Sequence, residues 1–244
     1  MHAVSIDAPI PKIDRWKAGN VGLPYVWTIR RDQPGPHICI SALVHGNELC
    51  GAWALLDLLD AGVRPRRGAL TLALCNLAAF DRFDAHDHDA SRFVERDLNR
   101  VWGDGLRAAF APDLEQRRAI SLLRFVESAD ALLDLHSMHE PGPPLLLTGP
   151  HERNIALARR LATPRHVIVD AGHTEGRRLR DHGRFGSPTS QAESLLIECG
   201  WHGDMASRFV ARDLCARFLA ATGAIDETDL PHAWRLAAPA RQQV

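Results

Sequence analysis

Lysine is nearly absent from this chain of 244 residues. Lys12 and Lys17 are the only two, so 27 of the 29 basic residues are arginines; this reads as compositional bias, not as function. Nor is there an excess of charge of either sign. The formal net charge is −1 and the sequence pI is near 6.9, which gives no argument for a nucleic-acid or anionic-membrane partner. No window approaches the ~18 uninterrupted apolar residues that a membrane span needs. Residues 1–9 lack a charged start followed by an apolar core, so no signal peptide is expected. The five cysteines, Cys39, Cys50, Cys75, Cys199 and Cys215, are odd in number and dispersed, and no CxxC exists to suggest a cysteine metal site. They read as buried, reduced thiols of a cytosolic protein, so a cytoplasmic location is expected. Internal repeats and low-complexity linkers are missing as well. Residues 1–244 therefore read as a single domain with its core at about 25–222.

What is present has ordinary proportions, with 45% hydrophobic and 24% charged residues. Tyr25 to Arg30 alternates and reads as an edge strand. His37 to Val44 is a nearly continuous apolar strand of the kind buried on both faces of a parallel sheet. Leu49, Ala52, Trp53, Leu56 and Leu59 then recur at helical spacing until Gly62. Gly68 to Leu77 reads as a second buried strand. Helices are expected at 113–128, 151–161 and from Asp204 onward, and strands at 131–135, 144–147, 165–170 and 194–198. From about Asp226 the chain reads as loosely ordered. Strands alternating with helices predict an α/β fold, a mixed and mostly parallel central sheet flanked by helices. Ligands bind such sheets beyond the carboxyl ends of the strands.

Three chemically capable residues fall at strand ends. His45 and Glu48, in Val44-His45-Gly46-Asn47-Glu48, follow the first buried strand. Imidazole nitrogen and carboxylate oxygen are zinc ligands, and a catalytic site takes three protein ligands and keeps one open position. By itself the pair fits a solvated loop histidine better, with Glu48 favoured by the positive end of a helix. His136 follows another strand and Glu198 closes a third, so one crevice could receive all of them. Arg92 and Asp97-Leu98-Asn99-Arg100 lie between 76 and 105, where periodicity disappears; long irregular stretches in compact domains are usually functional. These residue types suit metal-assisted hydrolysis. Zinc polarises a carbonyl and lowers the pKa of its water towards ~7, while a carboxylate that is not a ligand takes the proton. One arginine meets the oxyanion, and another holds a substrate carboxylate with an asparagine.

Four motifs in order carry a resemblance: His45-Gly46-Asn47-Glu48, Arg92 to Arg100, Leu133-Asp134-Leu135-His136-Ser137, and Ile197-Glu198-Cys199-Gly200. Over roughly residues 36 to 220 the chain resembles the succinylglutamate desuccinylase/aspartoacylase family, of zinc carboxypeptidase-like fold. The resemblance implies one zinc per chain, held by His45, Glu48 and His136. It implies that Arg92 stabilises the oxyanion, that Asn99 and Arg100 bind a substrate carboxylate, that Glu198 is general base and then acid, and that Asp97 orients the imidazole of His45. The implied reaction is hydrolysis of the amide bond of an N-acyl amino acid, a small molecule carrying a carboxylate. Family members usually carry a further C-terminal β-rich domain, which is expected to be absent here. Aspartoacylases also place an extra arginine just before the general base, for which Arg184 is only a loose candidate. Two alternatives stay open: a zinc carboxypeptidase acting on peptides or cell-wall fragments, and a zinc-binding module without catalysis. Glu198 and Arg92 argue against the module, since neither is needed merely to hold zinc.

Other residues draw simpler expectations. His86-Asp87-His88-Asp89 looks like a second metal motif but reads as a solvated loop. His139 reads as pocket wall and His202 as a residue of the helix approach or rim. Trp53 reads as packing, Trp102 as packing or pocket wall, and Cys199 as a small core residue.

Overall fold

The computed structural model describes residues 8–244, so most of the stretch read for a signal peptide lies outside the described residues. Seven strands form one sheet: β1 (Val26–Arg30), β2 (His37–Ala42), β3 (Ala69–Leu74), β4 (Ala131–Met138), β5 (Leu145–Leu147), β6 (His166–Ile168) and β7 (Glu193–Trp201). Their order is β1-β3-β2-β4-β7-β5-β6. The centre, β3-β2-β4-β7, is parallel throughout. β1 runs antiparallel at one edge, and β5 is antiparallel to β7 before pairing in parallel with β6. This is the mixed, mostly parallel sheet that the sequence predicts.

The continuous apolar runs follow from two-sided burial. Successive strand residues point to opposite faces. Ile38, Ile40, Leu133, Leu135 and Ile197 join one core layer, with Leu55, Leu157, Leu214 and Phe218 of α1 (Leu49–Asp60), α4 (Glu152–Leu161) and α5 (Ala206–Ala221). Cys39 and Leu132 join the other, with Leu122, Phe125 and Val126 of α3 (Leu114–Ser128). A short α2 (Leu77–Phe80) follows β3. All five cysteines are free and buried in these layers. Asp113 and Gln116 form a reciprocal cap on α3, a contribution of about 1 kcal/mol. No helix among the described residues is long and apolar enough to cross a membrane.

Two expectations need correction. β4 does not end before His136 but runs on to Met138, and β7 runs on to Trp201. The tail is also tied down instead of loose. Val167 N–H donates to Gln243 O at 2.7 Å, Gln242 Nε2 donates to Ala158 O and Pro164 O at 3.1 Å, and Arg217 donates to Leu236 O at 2.7 Å. Hydrogen bonds hold this segment where hydrophobic periodicity offers no signal.

Candidate active site and metal centre

β2, β4 and β7 lie side by side with their carboxyl ends at one edge. His136 is paired in register with Glu198, and parallel neighbours in register project to the same face, so the imidazole and the carboxylate rise together. Asp134, two residues before His136, lies on that same face. β2 delivers His45 differently. After Ala42, buried Leu43 takes a left-handed conformation at φ 52°, which costs a non-glycine residue roughly 1–2 kcal/mol. Asn76 N–H holds it there through Leu43 O at 2.6 Å.

Gly46 serves close approach. A Cβ at this position would lie 2.4 Å from Ala79 C and Phe80 N and 2.5 Å from Ser91 O. These are backbone atoms with no flexible end to give way. Gly46→Ala is therefore expected to cost at least the roughly 1–3 kcal/mol of an overpacked core, read as a lower midpoint of urea unfolding. An unchanged midpoint would show that the loop moves aside freely.

His45, Glu48 and His136 are all buried, and their donor atoms lie within 4.8 Å of one another. His45 Nδ1 is 2.7 Å from Glu48 Oε1, and His136 Nδ1 is 2.7 Å from Glu48 Oε2. Yet Glu48 Oε2 makes no hydrogen bond among the described residues. A buried acceptor without a hydrogen bond is costly, and a cation among these three groups would satisfy it. Two imidazole nitrogens and one carboxylate also form a donor set used by catalytic zinc. The residues fit that ion.

Each histidine uses its other nitrogen on a carboxylate. His45 Nε2 is 2.9 Å from Asp97 Oδ1, as the resemblance implies, and His136 Nε2 is 2.8 Å from Asp134 Oδ2. Ser41 Oγ donates to Asp134 Oδ1 at 2.6 Å. Such partners fix the tautomer and aim of a metal-binding imidazole. The electrostatics match a cation site. Burial pushes the Glu48 carboxyl up, but His45 and His136 more than offset it and hold it well below the usual range. Burial likewise opposes charging of His136, but Asp134 and Glu48 raise it well above the ordinary imidazole value. Burial also pushes Asp97 up, and the His45 hydrogen bond with the charges of His45, Arg92 and Arg100 brings it far down.

The irregular stretch covers this edge because Glu115 holds it. This fully buried carboxylate of α3 accepts from Val94 N at 2.7 Å, from Glu95 N and Arg96 N at 3.2 Å, and from Asn76 Nδ2 at 3.2 Å. Arg92, Asn99 and Arg100 are thereby set around a cavity of about 230 Å³ that His45, Glu48, His136 and Glu198 also line. Arg92 Nη2 donates to Asp97 Oδ2 at 3.1 Å, and its Nη1 is 3.7 Å from Glu48 Oε1. Asn99 Oδ1 is committed to Leu179 N–H at 2.8 Å, and its amide nitrogen stands at the cavity 3.5 Å from His136 Nε2. Arg100 Nη1 donates to Asn99 O at 2.9 Å, while its buried Nε has no hydrogen-bond partner among the described residues. Among the described residues Glu198 Oε2 has no partner either. Burial pushes the Glu198 carboxyl up to about 7, helped by Glu48 and opposed by His136, His45 and Arg92. A larger cavity of about 880 Å³, lined by Pro150, His173 and Arg177 among others, lacks these donors.

Every site residue expected from the sequence thus lies at one crevice, and Arg178 joins them. It lines the cavity and pairs with Asp170. Arg184, the loose candidate for the extra arginine, is half-exposed on the surface, 3.2 Å from Asp130, and does not line the cavity. Trp102 is core packing. His202 is buried, with Nδ1 2.8 Å from Ser137 Oγ, and is no rim residue. His88 is buried too, against the expectation of a solvated loop, whereas His86 is exposed. Asp134 had a usable signal, its two-residue offset from His136 on a strand. Arg178 and Glu115 had none, being placed by long-range contacts alone.

The mixed α/β sheet carries a His-Glu-His donor set and a buried carboxylate at its carboxyl edge. The chain belongs to the succinylglutamate desuccinylase/aspartoacylase family, whose catalytic-domain model matches residues 34–176. Comparison with curated proteins finds no match. Among solved structures it is similar to the product-bound ectoine utilization protein EutE (DoeB) from Ruegeria pomeroyi, at 16% identity and a TM-score of 0.65 over 82% of this chain and 61% of that one. A succinylglutamate desuccinylase/aspartoacylase from Rhodobacter sphaeroides matches at 20% identity and a TM-score of 0.60, over 82% and 59%. Murine aminoacylase 3 matches at 20% and 0.57, over 79% and 65%. The chain spans about three fifths of the length of these relatives.

Proposed function

We propose that this chain is a zinc-dependent hydrolase that cleaves the amide bond of a small N-acyl amino acid carrying a carboxylate. The observation that carries this reading is one cavity shared by a His-Glu-His donor set, an unpartnered carboxylate and three arginines, Arg92, Arg100 and Arg178. Its volume of about 230 Å³ is below the roughly 300 Å³ at which sites for drug-sized ligands begin, which favours a small substrate over a peptide. The names of the relatives, desuccinylase, aspartoacylase and aminoacylase, support acyl–amino-acid chemistry.

His45, Glu48 and His136 would hold the metal. Zinc bound there would polarise the scissile carbonyl and lower the pKa of a bound water towards ~7. Glu198 takes a proton from the attacking water and returns it to the leaving amine. Arg92 donates to the oxyanion as charge develops. Asn99 and Arg100, with Arg178 beside them, hold the substrate carboxylate through planar, charge-assisted hydrogen bonds. Asp97 and Asp134 keep the two imidazoles aimed.

The direct test is release of amine from a panel of N-acyl amino acids and dipeptides by the zinc-loaded protein; turnover of dipeptides alone would overturn the substrate class. Arg100→Lys keeps the charge and loses the fork. It is expected to lower kcat/KM on an anionic N-acyl amino acid roughly ten- to hundredfold, mainly through KM, as loss of a hydrogen bond between charged groups costs about 1.5–3 kcal/mol. Unchanged kinetics would place the carboxylate anchor elsewhere.

A further inference from the structure

At the edge of the site just described, and apart from its three clustered donors, His88, Asp89 and His139 come together although His88 and His139 are far apart in sequence. One donor atom from each lies within 4.8 Å of the others. His139 Nδ1 is 2.9 Å and His88 Nδ1 3.2 Å from the same oxygen, Asp89 Oδ1. The two rings stand 5.9 Å apart, centroid to centroid. His139 and Asp89 are more than half exposed, at 56% and 55% of their side chains, so the cluster opens to solvent.

An imidazole beside a carboxylate is common on protein surfaces and by itself holds nothing. Here the buried member makes the difference. His88 is 5% exposed, and its Nδ1 is buried without a hydrogen-bond partner among the described residues. The short distance to Asp89 therefore does not satisfy that nitrogen, which is directed into the cluster. The ring is held from behind as well. His202 stacks edge-on against it at 5.8 Å, itself fixed by Ser137 Oγ at 2.8 Å. The backbone is also fixed, by Ser91 Oγ donating to His88 O at 2.7 Å and Arg92 N–H donating to Asp89 O at 3.1 Å.

We infer that His88, Asp89 and His139 form a second metal site, for a divalent transition ion of the zinc, cobalt or nickel type. Two imidazoles and one carboxylate suit such ions. They do not suit magnesium or calcium, which prefer oxygen ligands. Three protein donors leave open positions for water or an anion. Because two of the three donors are solvent-exposed, this site binds more weakly than the buried one and fills only when metal is added. It also bears on the cavity. His139 lines the cavity wall, so filling the second site takes a wall residue into a ligand set and places positive charge at the mouth.

The test is a titration of dialysed protein with cobalt(II), followed by calorimetry and by visible absorption. The wild type is expected to take up a second equivalent beyond the tightly held one. His139→Ala and Asp89→Asn change exposed side chains and should fold normally. Each is expected to weaken that second equivalent by more than the ~10–100-fold cost of losing a mere supporting group, while keeping the first. His136→Ala is expected to keep the second and lose the first, so failure here is distinguishable from failure of the catalytic assignment. No cobalt uptake by the wild type beyond its one tightly held equivalent would overturn the inference. So would a second equivalent that binds His139→Ala or Asp89→Asn with unchanged affinity.

Discussion

Replacing Glu198 by glutamine is expected to leave fold and metal content intact and to lower turnover by roughly 10²–10⁴-fold, the usual worth of a positioned base. The substitution keeps the shape of the side chain and removes its basicity. The wild-type Oε2 has no hydrogen-bond partner among the described residues, so no ion pair or buried network is broken by making the group neutral. A structural carboxylate would behave otherwise. In an ion pair with one of the many arginines its loss would show as a lower midpoint of unfolding and little change in turnover. As a metal ligand its loss would show as missing metal. Turnover, metal analysis and a denaturant melt on the same preparation separate the three. Near-normal turnover would overturn the assignment of Glu198, and so would loss of metal. The geometry behind the expectation is the β4–β7 register, which places Glu198 beside His136 at the cavity without making it one of the three clustered donors.

How much of this was legible in the sequence depended on the range of the interaction that fixes each part. His45, His136 and Glu198 were legible because apolar runs mark the strands towards whose carboxyl ends they lie, although β4 and β7 run on past His136 and Glu198, and in a parallel sheet those ends share an edge. The sheet itself followed from the same runs. Asp134 stood in plain view two residues before His136, but its role needs the knowledge that β4 continues past it as a strand. Leu43 gave no warning, because nothing in a leucine announces a left-handed conformation. Gly46 stood in plain view within the motif, but its reason, close approach to the backbone of 79, 80 and 91, shows only in the fold. The least legible parts were the pairings across many residues. Glu115 gathers the loop at 94–96 from a helix, Arg178 reaches the cavity from a glycine-rich segment, and His139 meets Asp89 from another strand end. No local pattern encodes such meetings; they follow from how the loops drape over the sheet.

His45→Ala and His136→Ala are each expected to come through dialysis with essentially no tightly held metal, where the wild type is expected to retain about one zinc per chain. Each removes one of three donors from a site whose remaining groups cannot close around an ion. Stability should respond too, and in an informative direction. Burial raises the Glu48 carboxyl and the two histidines outweigh it, holding it well below the usual range. Removing either imidazole therefore strips compensation from a buried charge, a change that costs about 3–5 kcal/mol when a buried pair is broken. Either variant could lose its metal simply by unfolding, so circular dichroism accompanies the metal analysis. Asp134→Asn supplies the second arm. It keeps all three donors and the shape of the buried side chain, and removes only the charge behind His136. Its zinc affinity is expected to fall about 10–100-fold, the usual cost of losing such a partner, with a protein that still folds. Full zinc content in folded His45→Ala and His136→Ala would remove the metal assignment. Unchanged affinity in Asp134→Asn would leave the three donors standing and show that the aim of His136 is set by its place on the strand and not by the carboxylate behind it.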